Sequence, residues 1–139
     1  MSCVDKKAVR DVIGAPFKLH GRDPINGFDC WGLVVWLMWH DRNIAIDDDW
    51  QYNNLENVST IFTQEYAKIK TDSRSRWAEC EAKDAHVVLL AFGGIIEHIG
   101  YMCSEKHFVH IVENGVVRID SIDSLFWKNR VAGFFQWLE

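Results

Sequence analysis

NGFDCWGLVVW, residues 26–36, sets a cysteine between an aspartate and a tryptophan where a glycine-punctuated loop gives way to an apolar run. Asp29 is the type of residue that caps a helix N-terminus, and the run from Cys30 to about Asp41 is apolar on nearly all sides. This predicts a buried helix with Cys30 in its first turn. There the unpaired N–H groups and the positive end of the helix dipole favour thiolate over thiol. The N–H of Cys30 could also meet the oxygen of an attacked carbonyl. The alternative is that Cys30 is a small buried residue at a helix start, since free cysteine is among the most buried residue types.

A thiolate nucleophile needs an imidazole to share its proton, and the imidazole needs a partner to orient it. In GIIEHIGYM, residues 94–102, period-two alternation places Ile96, His98, Gly100 and Met102 on one strand face. His98 is then either a satisfied core histidine or a base, with Gly100 leaving room for a backbone or a substrate. His110 in FVHIV points the same way as Phe108, and pairing of the two strands through a turn near Ser104 brings His98 and His110 together. Zinc on Cys103, His107 and His110 is disfavoured: His107 and His110 are an odd number of strand residues apart and face opposite sides. His20, His40 and His86 read as ordinary polar residues, and Asp47 to Asp49 as solvated loop rather than a cation site.

Outward from these motifs, Val4 to Ile13 has helical spacing ended by Gly14, and a third helix covers Ser59 to Ile69, capped near Asn57 or Ser59. From Ala85 the texture changes to β-rich runs: HVVLLAF, IIEHIGYM, HFVHIV, GVVRI and VAGFFQW, with Asn114-Gly115 a strong hairpin cue. A short helix over Ile122 to Lys128 precedes the last run. Helices followed by an antiparallel sheet make an α+β fold, and 139 residues with 48% hydrophobic content fit one domain over 1–139. A net charge of −5 supplies no basic footprint for nucleic acid. The longest apolar runs, Trp31 to Trp39 and Val87 to Phe92, fall short of the roughly 20 residues that span a bilayer. The first twenty residues lack the pattern of a secretory signal, so the chain is expected to be cytoplasmic when made. The four cysteines, Cys3, Cys30, Cys80 and Cys103, are spaced as free thiols rather than as a disulfide framework.

Together these residues resemble the NlpC/P60 family of papain-like cysteine peptidases, from about Ile13 to Trp137. The family's Asp-Cys-small-Gly-aliphatic-Val run is matched by Asp29-Cys30-Trp31-Gly32-Leu33-Val34, its His-aliphatic-Gly strand by His98-Ile99-Gly100, and its third polar residue by His110. GRDPINGFDCWGLV and the ending VAGFFQW are most similar to phage tail-associated members. The resemblance implies a papain-like fold and a Cys30-His98-His110 triad, with Phe17, Asp29 and Trp31 against the substrate and no metal or organic cofactor. It implies hydrolysis of peptidoglycan stem peptides, typically between D-γ-glutamate and a diamino acid, phage tail-tip proteins as partners, and action at the cell wall. The rival roles are a tail structural component with little hydrolysis and an interbacterial toxin amidase. Three departures stand out: Phe17 where members carry a loop tyrosine, Trp31 where serine is frequent, and Ala82-Lys83-Asp84 in place of a Pro-Gly-Asp turn.

Overall fold

The computed structural model describes residues 2–72 and 74–139. A single 3₁₀ turn (Cys3–Asp5) leads into α1 (Lys7–Val12), so the expected Val4 to Ile13 helix is broken where Lys6 takes an extended conformation. A two-stranded ribbon, β1 (Arg22–Asp23) with β2 (Gly27–Phe28), precedes α2 (Cys30–Arg42). The third helix, α3 (Leu55–Thr71), starts four residues earlier than its apolar spacing suggests, because the Asn54 side chain accepts from Asn57 N–H and caps it.

Six strands then form one antiparallel sheet: β3 (Trp77–Cys80), β4 (Val87–Phe92), β5 (Ile95–Met102), β6 (His107–His110), β7 (Arg118–Ser121) and β8 (Val131–Trp137), in the order β3-β8-β4-β5-β6-β7. Strand β3 has no counterpart in the sequence reading. WAEC is short and charged at its centre, and it is strand because β8 supplies the ladder, Trp77 opposite Trp137 through Cys80 opposite Phe134. The predicted helix over Ile122 to Lys128 is a succession of turns instead. Ser121 and Ser124 accept from the N–H groups of Asp123 and Trp127, capping each turn before a helix can propagate.

The sheet is covered on both faces. α2 and α3 bury one face with Leu33, Leu37, Phe62, Leu89, Ile99 and Tyr101, while a smaller layer of Val88, Leu90, Met102, Phe108 and Trp127 fills the other. A register break in β5 decides which layer each residue joins. Leu90 pairs with His98 but Ala91 pairs with Ile96, leaving Glu97 as a bulge. Ile96 therefore packs with the helical layer, whereas His98 lies beside Trp127, so the expected common face holds for His98, Gly100 and Met102 only. The space above Gly100 is taken by the Phe108 ring, which would lie 2.6 Å from a Cβ there, and not by a substrate. Cys3 and Cys103 are joined as a disulfide, which corrects the reading of four free thiols; Cys30 and Cys80 are free. Separation by 100 residues hid the pair, which forms because the N-terminal turn packs beside the end of β5.

Candidate functional site

The loop ahead of α2 is built around Asp29. Its side chain is almost wholly buried and accepts from Gly32 N–H (2.7 Å), His20 N–H (2.9 Å), the Tyr52 hydroxyl (2.5 Å) and Arg22 Nη1 (3.3 Å). The first bond is the N-cap that starts the helix at Cys30. Gly32 lets the preceding loop cross this first turn, since a Cβ there would lie 1.9 Å from the Gly21 carbonyl oxygen. The expected helix start is therefore the observed one.

Cys30 and His98 line the same groove, together with Phe17, Ser59, Phe92, Ile111 and three exposed glutamates, Glu56, Glu97 and Glu113. Cys30 comes from the first turn of α2, His98 from β5 just past its bulge, and Phe17 from the loop that bridges to β2 through Phe28. Asp29 and Trp31 lie away from this groove. Asp29 is spent on the network above. Trp31 stacks on Trp50 at 3.9 Å, donates its indole N–H to Asp48 (2.9 Å) and lines an apolar cavity with Phe62 and Trp77. Asp48 also accepts from Arg22, so the middle of the Asp47 to Asp49 run is tied down rather than freely solvated.

On the sheet side the histidines meet as the strand pairing requires. His98 Nε2 is 2.8 Å from His110 Nδ1, and both rings are buried. Two residues absent from the sequence reading complete the arrangement. Asp120 Oδ2 is 2.6 Å from His110 Nε2 and accepts from Arg118 Nε at 2.9 Å. Trp127 lies nearly parallel to His98 and edge-on to His110, at 5.9 and 5.1 Å between centroids. Asp120 was legible: the Asn114-Gly115 turn puts His110 opposite Arg118 and Phe108 opposite Asp120, so Asp120 lies diagonal to His110. Trp127 had no local signal, because it arrives from the turns after β7.

Burial governs the proton affinities. It pushes the Cys30 thiol up to about 12, aided by the neighbouring Asp29 carboxylate, while the N–H groups of Ile99, Trp31 and Cys30 itself pull the other way. At the thiol, burial thus opposes the helix N-terminus. Burial also lowers His98 to about 3, with the neighbouring His110 and Arg118 adding to it, and lowers His110 against the opposing pull of Asp120. Burial thus favours the uncharged form of the thiol and of both imidazoles. Among the described residues no His, Cys, Asp and Glu cluster is arranged to hold a metal: Cys103 is bonded to Cys3, and His107 is exposed while His110 is buried.

The protein matches solved structures across almost its whole length. It superposes on a lipoprotein-like NLP/P60 family protein from Staphylococcus aureus (TM-score 0.60, 16% identity, 99% of this chain and 40% of that one). It likewise superposes on the NlpC/P60 domain of the peptidoglycan hydrolase SagA (0.55, 17%, 99% and 96%) and on an NlpC/P60 family protein from Bacillus cereus (0.57, 14%, 100% and 41%). The chain thus spans about two fifths of the length of two of these proteins and nearly all of the SagA domain. These likenesses carry the α+β, papain-like fold. None of the curated proteins matches the chain in sequence. The NlpC/P60 family model matches residues 14–136, from the end of the first helix to the last strand and across every element of the groove, and the chain belongs to the NlpC/P60 family.

Proposed function

We propose that the chain is a cysteine peptidase that hydrolyses peptidoglycan stem peptides at the amide between D-γ-glutamate and a diamino acid. The observation that carries this is the convergence of Cys30, at a helix N-terminus, and His98, backed by His110, on one groove. Family membership and the likeness to a peptidoglycan hydrolase domain support the substrate class. The groove adds chemical support: it carries three glutamates and, among the described residues, no lysine or arginine, which suits the free amine of a diamino acid.

In this mechanism the Cys30 thiol gives its proton to His98, on the ring nitrogen not bonded to His110, as the sulfur attacks the carbonyl carbon. The developing oxyanion is met by the Cys30 N–H. The His98 imidazolium then protonates the leaving amine as the C–N bond breaks. Water, deprotonated by His98, hydrolyses the thioester and restores the thiol.

Delivery to the wall by a phage tail is proposed on the similarity of GRDPINGFDCWGLV to tail-associated members. The Cys3–Cys103 disulfide suits work in an oxidising setting outside a cell. Incubation with L-Ala-γ-D-Glu-diamino acid peptides, with products read by mass, tests the assignment. The expected products are L-Ala-D-Glu and the peptide with a new diamino acid amine. Intact peptides after prolonged incubation would favour the tail-structural role, for which Phe17 in the groove in place of a hydroxyl is the supporting feature.

A further inference from the structure

With both rings in the neutral form that burial favours, the hydrogen bonds behind His98 leave one consistent arrangement of protons. Asp120 is held as a carboxylate by Arg118 and His110, its affinity for a proton lowered by both against the effect of burial. A carboxylate only accepts, so the 2.6 Å contact requires the hydrogen of His110 on Nε2. Neutral His110 then presents a bare Nδ1, and the 2.8 Å contact requires the hydrogen of His98 on Nε2. The remaining nitrogen of His98, Nδ1, is left with its lone pair.

We infer that Asp120 is a positioning residue: through His110 it fixes the tautomer of His98 so that the bare Nδ1, rather than an N–H, is offered to the Cys30 thiol. This rests on the hydrolase assignment for the use to which the lone pair is put. Without Asp120, His110 can carry its hydrogen on either nitrogen. In the Nδ1–H form it donates to His98, and His98 then holds its own hydrogen on Nδ1, where it cannot take a proton. Asp120 stands one ring beyond the orienting histidine and touches neither substrate nor nucleophile. Its carboxylate also stabilises the positive charge that the pair gains when His98 becomes an imidazolium. The charged groups acting on the two rings are Asp120 and Arg118 from β7; Cys30 and the glutamates Glu56, Glu97 and Glu113 line the groove onto which His98 opens, and the turns after β7 contribute the Trp127 ring.

The test combines kinetics with nitrogen NMR on the full chain labelled with ¹⁵N-histidine. In the wild type both rings should show the Nε2–H pattern. Asp120→Ala should mix the tautomers of both rings and lower kcat on the order of 10- to 100-fold, the loss typical of removing a partner that orients a functional ring from behind, with little change in KM. Asp120→Asn separates charge from tautomer, since its amide oxygen can accept from both Arg118 and His110. It should keep the Nε2–H pattern and lose less than tenfold in kcat. In both variants the acid limb of kcat/KM should move to lower pH, because a negative charge favouring imidazolium is gone.

If Asp120→Ala does not fold, Asp120→Asn decides through its acid limb alone. An unmoved acid limb in Asp120→Asn, or wild-type tautomers and kcat within twofold in a folded Asp120→Ala, overturns the inference. A wild type that cleaves no stem peptide overturns the hydrolase assignment instead, and the nitrogen spectra still read the tautomers.

Discussion

Asp29 and Asp120 are both carboxylates held by an arginine, one ahead of α2 and the other at the edge of the sheet, and they differ in where their hydrogen bonds lead. Every bond to Asp29 comes from a fixed donor, two backbone N–H groups, a tyrosine hydroxyl and a guanidinium, and the network closes on itself. The bond from His110 to Asp120 continues through His98 and ends on a nitrogen whose proton can come and go. The first network fixes a backbone; the second fixes a proton. The first also has a cost, because the charge that caps α2 sits beside the thiol and disfavours its ionisation. Under the proposed function, activation of Cys30 therefore falls to His98 at the moment of attack, rather than to a thiolate held in advance.

The largest effects should come from breaking the pair that the two networks serve. Cys30→Ala and His98→Ala should each lower kcat/KM by on the order of 10⁴-fold or more while the thermal transition stays cooperative. His110→Ala should cost less, since it acts through the base. Complete loss in His110→Ala with a collapsed transition would mark the two histidines as core residues instead.

Asp29→Ala attacks the closed network. It removes the cap of α2 and leaves the His20 N–H and the Tyr52 hydroxyl without their acceptor, while Arg22 keeps Asp48, and a loss of about 2–4 kcal/mol in denaturant unfolding is expected. Asp29→Asn should split the two consequences. Stability falls, yet the thiol becomes easier to ionise because a neighbouring negative charge is gone.

Alkylation reads the thiol directly. With its proton held up to about 12, Cys30 in the folded protein should react with iodoacetamide slowly at neutral pH, and its rate should rise about tenfold per pH unit through pH 9. A rate that is flat from pH 5 to 8 would mean a preformed thiolate–imidazolium pair and a thiol activated at rest rather than at attack. The smallest change is expected at Phe17. If its ring occupies the place of a donor near the developing charge, Phe17→Tyr should raise kcat about tenfold, a fraction of what one such donor can supply, with KM little changed. No gain in a folded variant assigns Phe17 to packing alone.

What could be read from the sequence follows the reach of each interaction. The α2 start was legible because Asp29, its cap, and Cys30 are adjacent in the chain, and the His98–His110 contact because one strand pairing sets it. Glu97 was not, since a bulge is a decision of two strands and shows only when Leu90 and Ala91 are set against β5. At the thiol the dipole is legible because it is local, whereas the opposing effect of burial is collective. Cys3–Cys103 and Trp127 depend on segments distant in the chain that meet only after the sheet has formed.

The same disulfide divides the chain into a covalent circle and a free tail. The circle, residues 3 to 103, contains Cys30 and His98; the tail carries His110, Asp120 and Trp127. Closing so large a circle removes about 4–5 kcal/mol of chain entropy from the unfolded state in the loop-closure account. A single protease nick within the circle would leave both fragments tethered and able to re-form the groove. A nick in the turn after Cys103 would instead leave His110 with no covalent tie to His98, so under the proposed function the Ser104–Lys106 turn is where a single cut costs most.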